Sequence, residues 1–263
     1  MVVPKLRLAI LTASLCSAAC ANTIARPVLT PTPATEALLV LPGFGYSADG
    51  ERALRSLAPA MAREGIDLYV PTYVSRHGLA QSRANLQRFI RDRRLNRYAR
   101  VHVFAFIAGG WTFNPLAEVN ALPLGAVVYD RSPFQERAPR IATEKLRLLT
   151  WLRYGSTVAD VAKTSYTPLN VQNARVGLMV ETKPTRFIRR FSKRADSYGP
   201  YHFECDAFAQ RHDDCLYLPM DHSEVYVRFA EIWPDLLAFI RTGRFSSVAE
   251  RRPPAQARVE TGK

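Results

Sequence analysis

Lysine is scarce in this chain. Only six of its 36 basic residues are lysines, at positions 5, 145, 163, 183, 193 and 263, and the rest are arginine. Against 23 acidic residues this leaves a formal charge of +13, spread along the sequence as guanidinium groups rather than gathered in a disordered lysine tail. Four cysteines in 263 residues are too few for a disulfide-dense miniprotein, and 13 glycines without a period exclude a collagen. Long apolar runs are missing as well: the uncharged stretch Leu8–Ala19 covers twelve residues where a bilayer needs about 20, and no later stretch is both long and apolar enough, so no transmembrane span is expected. No internal repeat is visible. What is present is ordinary globular composition, 48% hydrophobic and 22% charged, at a length that buries about 75% of the unfolded surface.

Lys5 and Arg7 precede the Leu8–Ala19 run and small residues follow it, the pattern of a secretory leader. Ala19-Cys20-Ala21 fits small-x-small cleavage, and Cys20 also resembles a lipoprotein acceptor, so positions 1–21 are expected to be removed with cleavage or lipidation at Cys20 as alternatives. Cys16 lies in the apolar part of the leader. That leaves Cys205 and Cys215, an even pair in an exported chain, which reads as one disulfide worth about 2.5 to 3 kcal/mol by loop closure. Asp206, His212, Asp213 and Asp214 beside them match no metal-ligand template. His77, His102 and His202 are not paired at ligand spacing either, and neither a metal nor a cofactor is expected.

Positions 22–36, rich in Thr, Pro and Ala, read as a linker, and 246–263 as a flexible basic tail. Between them, 37–245 alternates strand and helix signals. Ala37–Leu41 is a continuous apolar run closed by Pro42-Gly43, as in a strand buried on both faces. Leu54, Leu57, Ala58 and Met61 recur at helical spacing before Gly65. A strand at 67–70, a helix around Leu79–Ile90 and strands at 100–107 and 125–129 follow. The spacing then predicts a helix over 138–153, a shorter one near 158–163, strands at 175–181 and 216–220, and a last helix over 223–240. This alternation implies an α/β fold with a mostly parallel central sheet flanked by helices, and ligands at the carboxyl ends of the strands.

The order of features resembles the α/β-hydrolase fold superfamily, esterase- and lipase-like, across 37–245. Leu-Pro-Gly-Phe-Gly at 41–45 is similar to the loop that lends a backbone N–H to the oxyanion hole, which implies an oxyanion-like role for Gly43, Phe44 and Ala108. Asp221-His222-Ser223 after the last strand matches the place of the catalytic histidine, and Phe239–Phe245 resembles the final helix. The small-x-nucleophile-x-small turn reads Ala105-Phe106-Ile107-Ala108-Gly109, so the resemblance puts isoleucine at the nucleophile position. Asn114-Pro115 reads as a helix cap and first turn, which would start the next helix late. The partner acid of His222 is expected at a strand end: Glu181 or Asp130, with pairing of Glu181 to Lys183 or an arginine, and of Asp130 to Arg131, as the plainer alternatives. Ser132 and Thr112 are the other hydroxyls near the expected pocket, Ser132 reading as a turn residue.

These residues point to an exported, periplasmic or envelope protein that binds a small acyl or apolar ligand, or an anionic envelope component, without serine-hydrolase chemistry. The alternative is a hydrolase or acyltransferase using His222 with an unusual nucleophile or an activated water. Arginine clusters at 83–100 and 186–194 are solvated faces rather than a nucleic-acid platform, and no nucleic-acid partner is expected. N-terminal sequencing of the protein from its native host is expected to start at or near Cys20 to Asn22. Recovery of the full-length chain from the cytoplasm would contradict the leader.

Overall fold

The computed structural model describes residues 34–117, 122–246 and 248–254. The leader with Cys16 and Cys20, the linker up to residue 33 and the tail from residue 255 lie outside the described residues. The domain is a six-stranded, all-parallel sheet in the order β2-β1-β3-β4-β5-β6. In chain order the strands are β1 (Glu36–Leu41), β2 (Ile66–Tyr69), β3 (Arg100–Ala105), β4 (Leu124–Arg131), β5 (Arg175–Glu181) and β6 (Asp214–Leu218). The central runs are apolar on both faces because both are covered. Leu39, Leu41, Val103 and Tyr129 pack on one side, and Leu38, Val40, Phe104 and Val128, two-residue alternates of the same strands, pack on the other.

The helices are α1 (Ala48–Arg63), α2 (Leu79–Asp92), α3 (Ile107–Ala117), α4 (Ala138–Lys145), α5 (Arg147–Tyr154), α6 (Thr157–Lys163), α7 (Arg186–Arg190), α8 (Ser192–Asp196), α9 (His222–Val227) and α10 (Phe229–Thr242). Helix α1 follows its sequence signals, with Leu54, Ala58 and Met61 facing the sheet and Gly65 at φ +74° turning the chain; in the structure Ser47 caps its start by accepting from the Gly50 N–H. Phe187 and Phe191, at the second arginine cluster, touch at 5.1 Å and pack against the core rather than forming a stacking platform. Helix α5 is the exception to apolar-inward packing, with Leu148, Leu149, Trp151 and Leu152 all more than half exposed.

Several elements differ from the sequence reading. The late helix start does not occur: α3 begins at Ile107 and Pro115 sits inside it. Asn114 is not a cap because its side chain is held by tertiary partners, donating to Tyr166 Oη and the Thr167 carbonyl and accepting from Tyr129 Oη. The carbonyl of Trp111, which proline at 115 leaves without its helical N–H, accepts from Arg83 instead at 3.1 Å. The helix expected over 138–153 breaks at Leu146, and the one expected over 223–240 breaks at Arg228. The 100–107 strand stops at Ala105. Beyond the expected boundary at Phe245 the chain keeps contact with the domain, since the Glu250 carbonyl accepts from the Tyr217 N–H and Arg251 donates to the Cys215 carbonyl.

His102 has a structural place within β3. Its Nδ1 accepts the Ala126 N–H at 3.1 Å where the β3–β4 register shifts, and burial lowers its pKa to about 4 against the opposing pull of Glu36. Gly125 makes room for it, as a Cβ there would lie 2.6 Å from the ring. Cys205 and Cys215 are bridged, closing a ten-residue separation that ties the loop before β6 to that edge strand. Replacing both cysteines with serine is expected to lower stability by about 2.8 kcal/mol in denaturant unfolding, the loop-closure value for this length. A loss below about 0.5 kcal/mol, or two free thiols in protein folded under oxidising conditions, would contradict that role.

Candidate functional site

The carboxyl ends of β1, β3, β4 and β5 and the turn after β6 open on one cleft of about 830 Å³. Its floor is set by the approach of α3 to β1. Gly109 in the first turn of α3 lies so close that a Cβ would be 2.7 Å from the Leu41 carbonyl oxygen and 3.4 Å from the Ala105 Cβ. The small residues flanking position 107 therefore satisfy a packing requirement of the strand-to-helix turn, and Phe106 N–H donates to the Leu41 carbonyl across it. Ile107 is the first residue of α3, is 7% exposed, and lines the cleft together with Ala108, Phe44 and His222. An isoleucine side chain offers neither a lone pair nor a transferable proton there.

His222 opens α9 directly after a capping box, in which Asp221 accepts from the Ser223 and Glu224 N–H groups and Glu224 accepts from the Asp221 N–H. This fixes the ring against two carboxylates. His222 Nδ1 lies 2.6 Å from Glu181 Oε1 and 3.2 Å from Asp130 Oδ2, and both acids are wholly buried. Glu181 ends β5 and Asp130 is next to last in β4. The structure thus brings together both acids that the sequence offered as alternatives. Neither plainer pairing occurs: Lys183 is exposed, and Arg131 turns away to bond Glu136 at 2.5 Å and to stack over Tyr166 and Phe208.

Burial disfavours a charged imidazole, yet the two carboxylates outweigh it and hold the His222 pKa at about 10, above its ordinary 6.5. Glu181 moves the same way: burial and the neighbouring Asp130 charge push its carboxyl well above the usual range. Asp130, Glu181 and His222 are also the one grouping among the described residues with the donor types and closeness of a metal site. The 2.6 Å contact is a hydrogen bond, however, whereas two ligands on a tetrahedral ion with bonds near 2.1 Å stand roughly 3.4 Å apart.

The oxyanion-like loop is modified. Gly43 N–H is not free; it donates to Tyr226 Oη at 2.8 Å. Tyr226 stacks on Phe106 at 4.0 Å and meets the His222 ring edge-on at 5.3 Å, while Tyr73 Oη donates to the Pro42 carbonyl. These aromatics were not singled out from sequence. The available signal was Tyr226 at four residues after His222, on the same helix face. Ser132 Oγ accepts from the Gln135 N–H and caps a turn, as its sequence context suggested, and Thr112 Oγ1 donates back to the Ala108 carbonyl within α3. Neither lines the cleft.

No protein-family model matches this sequence, and no curated protein matches it. Solved structures do resemble its fold. A protein of Chitinophaga pinensis described as an alpha/beta hydrolase fold protein is 9% identical over 81% of this chain and 92% of its own, with a TM-score of 0.51. A structure from work on the metagenome-derived lipolytic enzymes LipS and LipT is 13% identical over 83% and 98%, with a TM-score of 0.51. The juvenile hormone epoxide hydrolase of the silkworm Bombyx mori is 10% identical over 81% and 71%, with a TM-score of 0.50.

Because the folded pKa of His222 exceeds its unfolded value, its attraction to the acids stabilises the fold fully below pH 6.5 and is lost as pH rises through about 10. An NMR titration of the His222 ring is expected to show imidazolium at neutral pH with a midpoint near 10, and Glu181→Gln to lower that midpoint. A wild-type midpoint at the ordinary 6.5 would contradict the two-acid arrangement.

Proposed function

We propose that this chain, which has the α/β-hydrolase fold, is an exported, non-catalytic relative of esterases and lipases that acts by binding a ligand in the cell envelope. The observation that carries this reading is Ile107. It stands at the first position of α3, in a turn whose small flanking residues keep the close packing of a nucleophile elbow, beside a histidine with its acids in place. The scaffold for acyl transfer is retained and the attacking oxygen is missing. Two further features favour binding over turnover. An imidazolium has no lone pair with which to take a proton from a substitute nucleophile or a water. The hydroxyls of Ser132 and Thr112 are committed to backbone partners outside the cleft.

Removing the nucleophile of a serine hydrolase leaves roughly 10³ to 10⁴ of acceleration over water, supplied by binding and oxyanion donors alone. The purified mature protein is therefore expected to resist labelling by a fluorophosphonate probe and to hydrolyse p-nitrophenyl butyrate no faster than its His222→Ala variant. Robust turnover that is lost in His222→Ala would overturn the non-catalytic reading in favour of a hydrolase or acyltransferase.

A further inference from the structure

Two side chains in the cleft lining, His222 and Tyr226, keep hydrogen-bonding capacity that no described residue uses. His222 is 6% exposed and lines the cleft; its Nδ1 is taken by the two acids, which leaves Nε2 as the ring nitrogen they do not engage. Tyr226 Oη accepts from Gly43 N–H and donates to no described residue, so a buried phenol proton is left over. A Cβ on Gly43 would lie 3.3 Å from that oxygen, 3.4 Å from the Ala108 Cβ and 3.6 Å from the Ala108 backbone nitrogen, so the phenol stands in a notch against the first turn of α3, where helix N–H groups point outward. The acidic lining residues have partners on α9: Asp221 and Glu224 form its capping box, and Glu224 also faces Arg228. Above the donors the walls are apolar, with Ile107, Phe44, Tyr154, Val158 and Val161, and Arg186 and Arg189 stand among the lining residues. A ring nitrogen that the acids do not engage, a spare phenol proton, a helix start and the Arg186 and Arg189 side chains in the lining form a seat for an anion. The apolar walls ask for a hydrocarbon.

We infer that the cleft binds an apolar carboxylate of the fatty-acid class, its head accepting from His222 Nε2–H, Tyr226 Oη–H and the start of α3, and its chain lying along the apolar walls. This rests on the binding reading given above and names the ligand class for that site. No bond is made or broken, and the groups that would polarise an ester carbonyl in a hydrolase here neutralise a finished acid.

The test is calorimetric titration of the mature protein at neutral pH with decanoate, decanol, decyl phosphate and decyltrimethylammonium. Decanoate is expected to bind at least tenfold more tightly than decanol, since a hydrogen bond to a charged group contributes about 1.5 to 3 kcal/mol. The cation is expected to bind more weakly than either. His222→Gln is expected to remove most of that preference and Tyr226→Phe to reduce it severalfold. His222→Gln leaves two buried acids without their cation and can fail to fold; the ligand comparison on the wild type and Tyr226→Phe decides the matter without it. Equal binding of decanoate and decanol, or a preference for decanoate untouched by Tyr226→Phe, would overturn the assignment. Tighter binding of decyl phosphate would reassign the head to a phosphate. Ester turnover dependent on His222 would sink the non-catalytic reading while leaving the decanoate result to stand or fall separately.

Discussion

Two carboxylates wholly buried beside one histidine set the terms for the rest of this cleft. Asp130 and Glu181 come from neighbouring strand ends, and among the described residues the one basic side chain paired with both is His222. A buried pair of like charges is tolerable only if a proton is shared or a counter-charge is held firmly, so the ring has little freedom to leave. The capping box at Asp221 and Glu224, the edge contact of the ring with Tyr226 and the stacking of Tyr226 on Phe106 all act on the same ring from the other sides. The second acid adds to the first: both pull the His222 pKa upward against the burial that lowers it.

Packing and reactivity make separate demands on the turn between β3 and α3. The approach of Gly109 to the Leu41 carbonyl dictates what can stand at 105 and 109, and places no comparable demand on the side chain at 107, which lines the cleft. Isoleucine is therefore compatible with an intact turn. That is how the backbone keeps the α/β-hydrolase fold with isoleucine at the head of α3.

Much of this was readable from the sequence because both-face burial leaves continuous apolar runs. Ala37–Leu41 and Arg175–Glu181 read as strands from such runs, and the resemblance to the α/β-hydrolase order of features points from strand ends to Asp130, Glu181 and the 221–223 turn. What escaped is tertiary in origin. Pro115 looks like a helix start until Arg83 is seen to cap the carbonyl it orphans, and Asn114 looks like a cap until Tyr129, Tyr166 and Thr167 claim its side chain. The breaks at Leu146 and Arg228 divide helices whose periodicity runs through them. The joint use of both acids, and the grip of Tyr226 on Gly43, depend on register between distant strands and helices, which no local pattern carries.

The bond between Tyr226 and Gly43 joins two places 183 residues apart in the chain. The Gly43 N–H has a side chain rather than a backbone carbonyl as its acceptor, so removing the phenol oxygen at 226 leaves that buried donor without its partner. The turn after β1 is thereby tied through one side chain to the helix that carries His222.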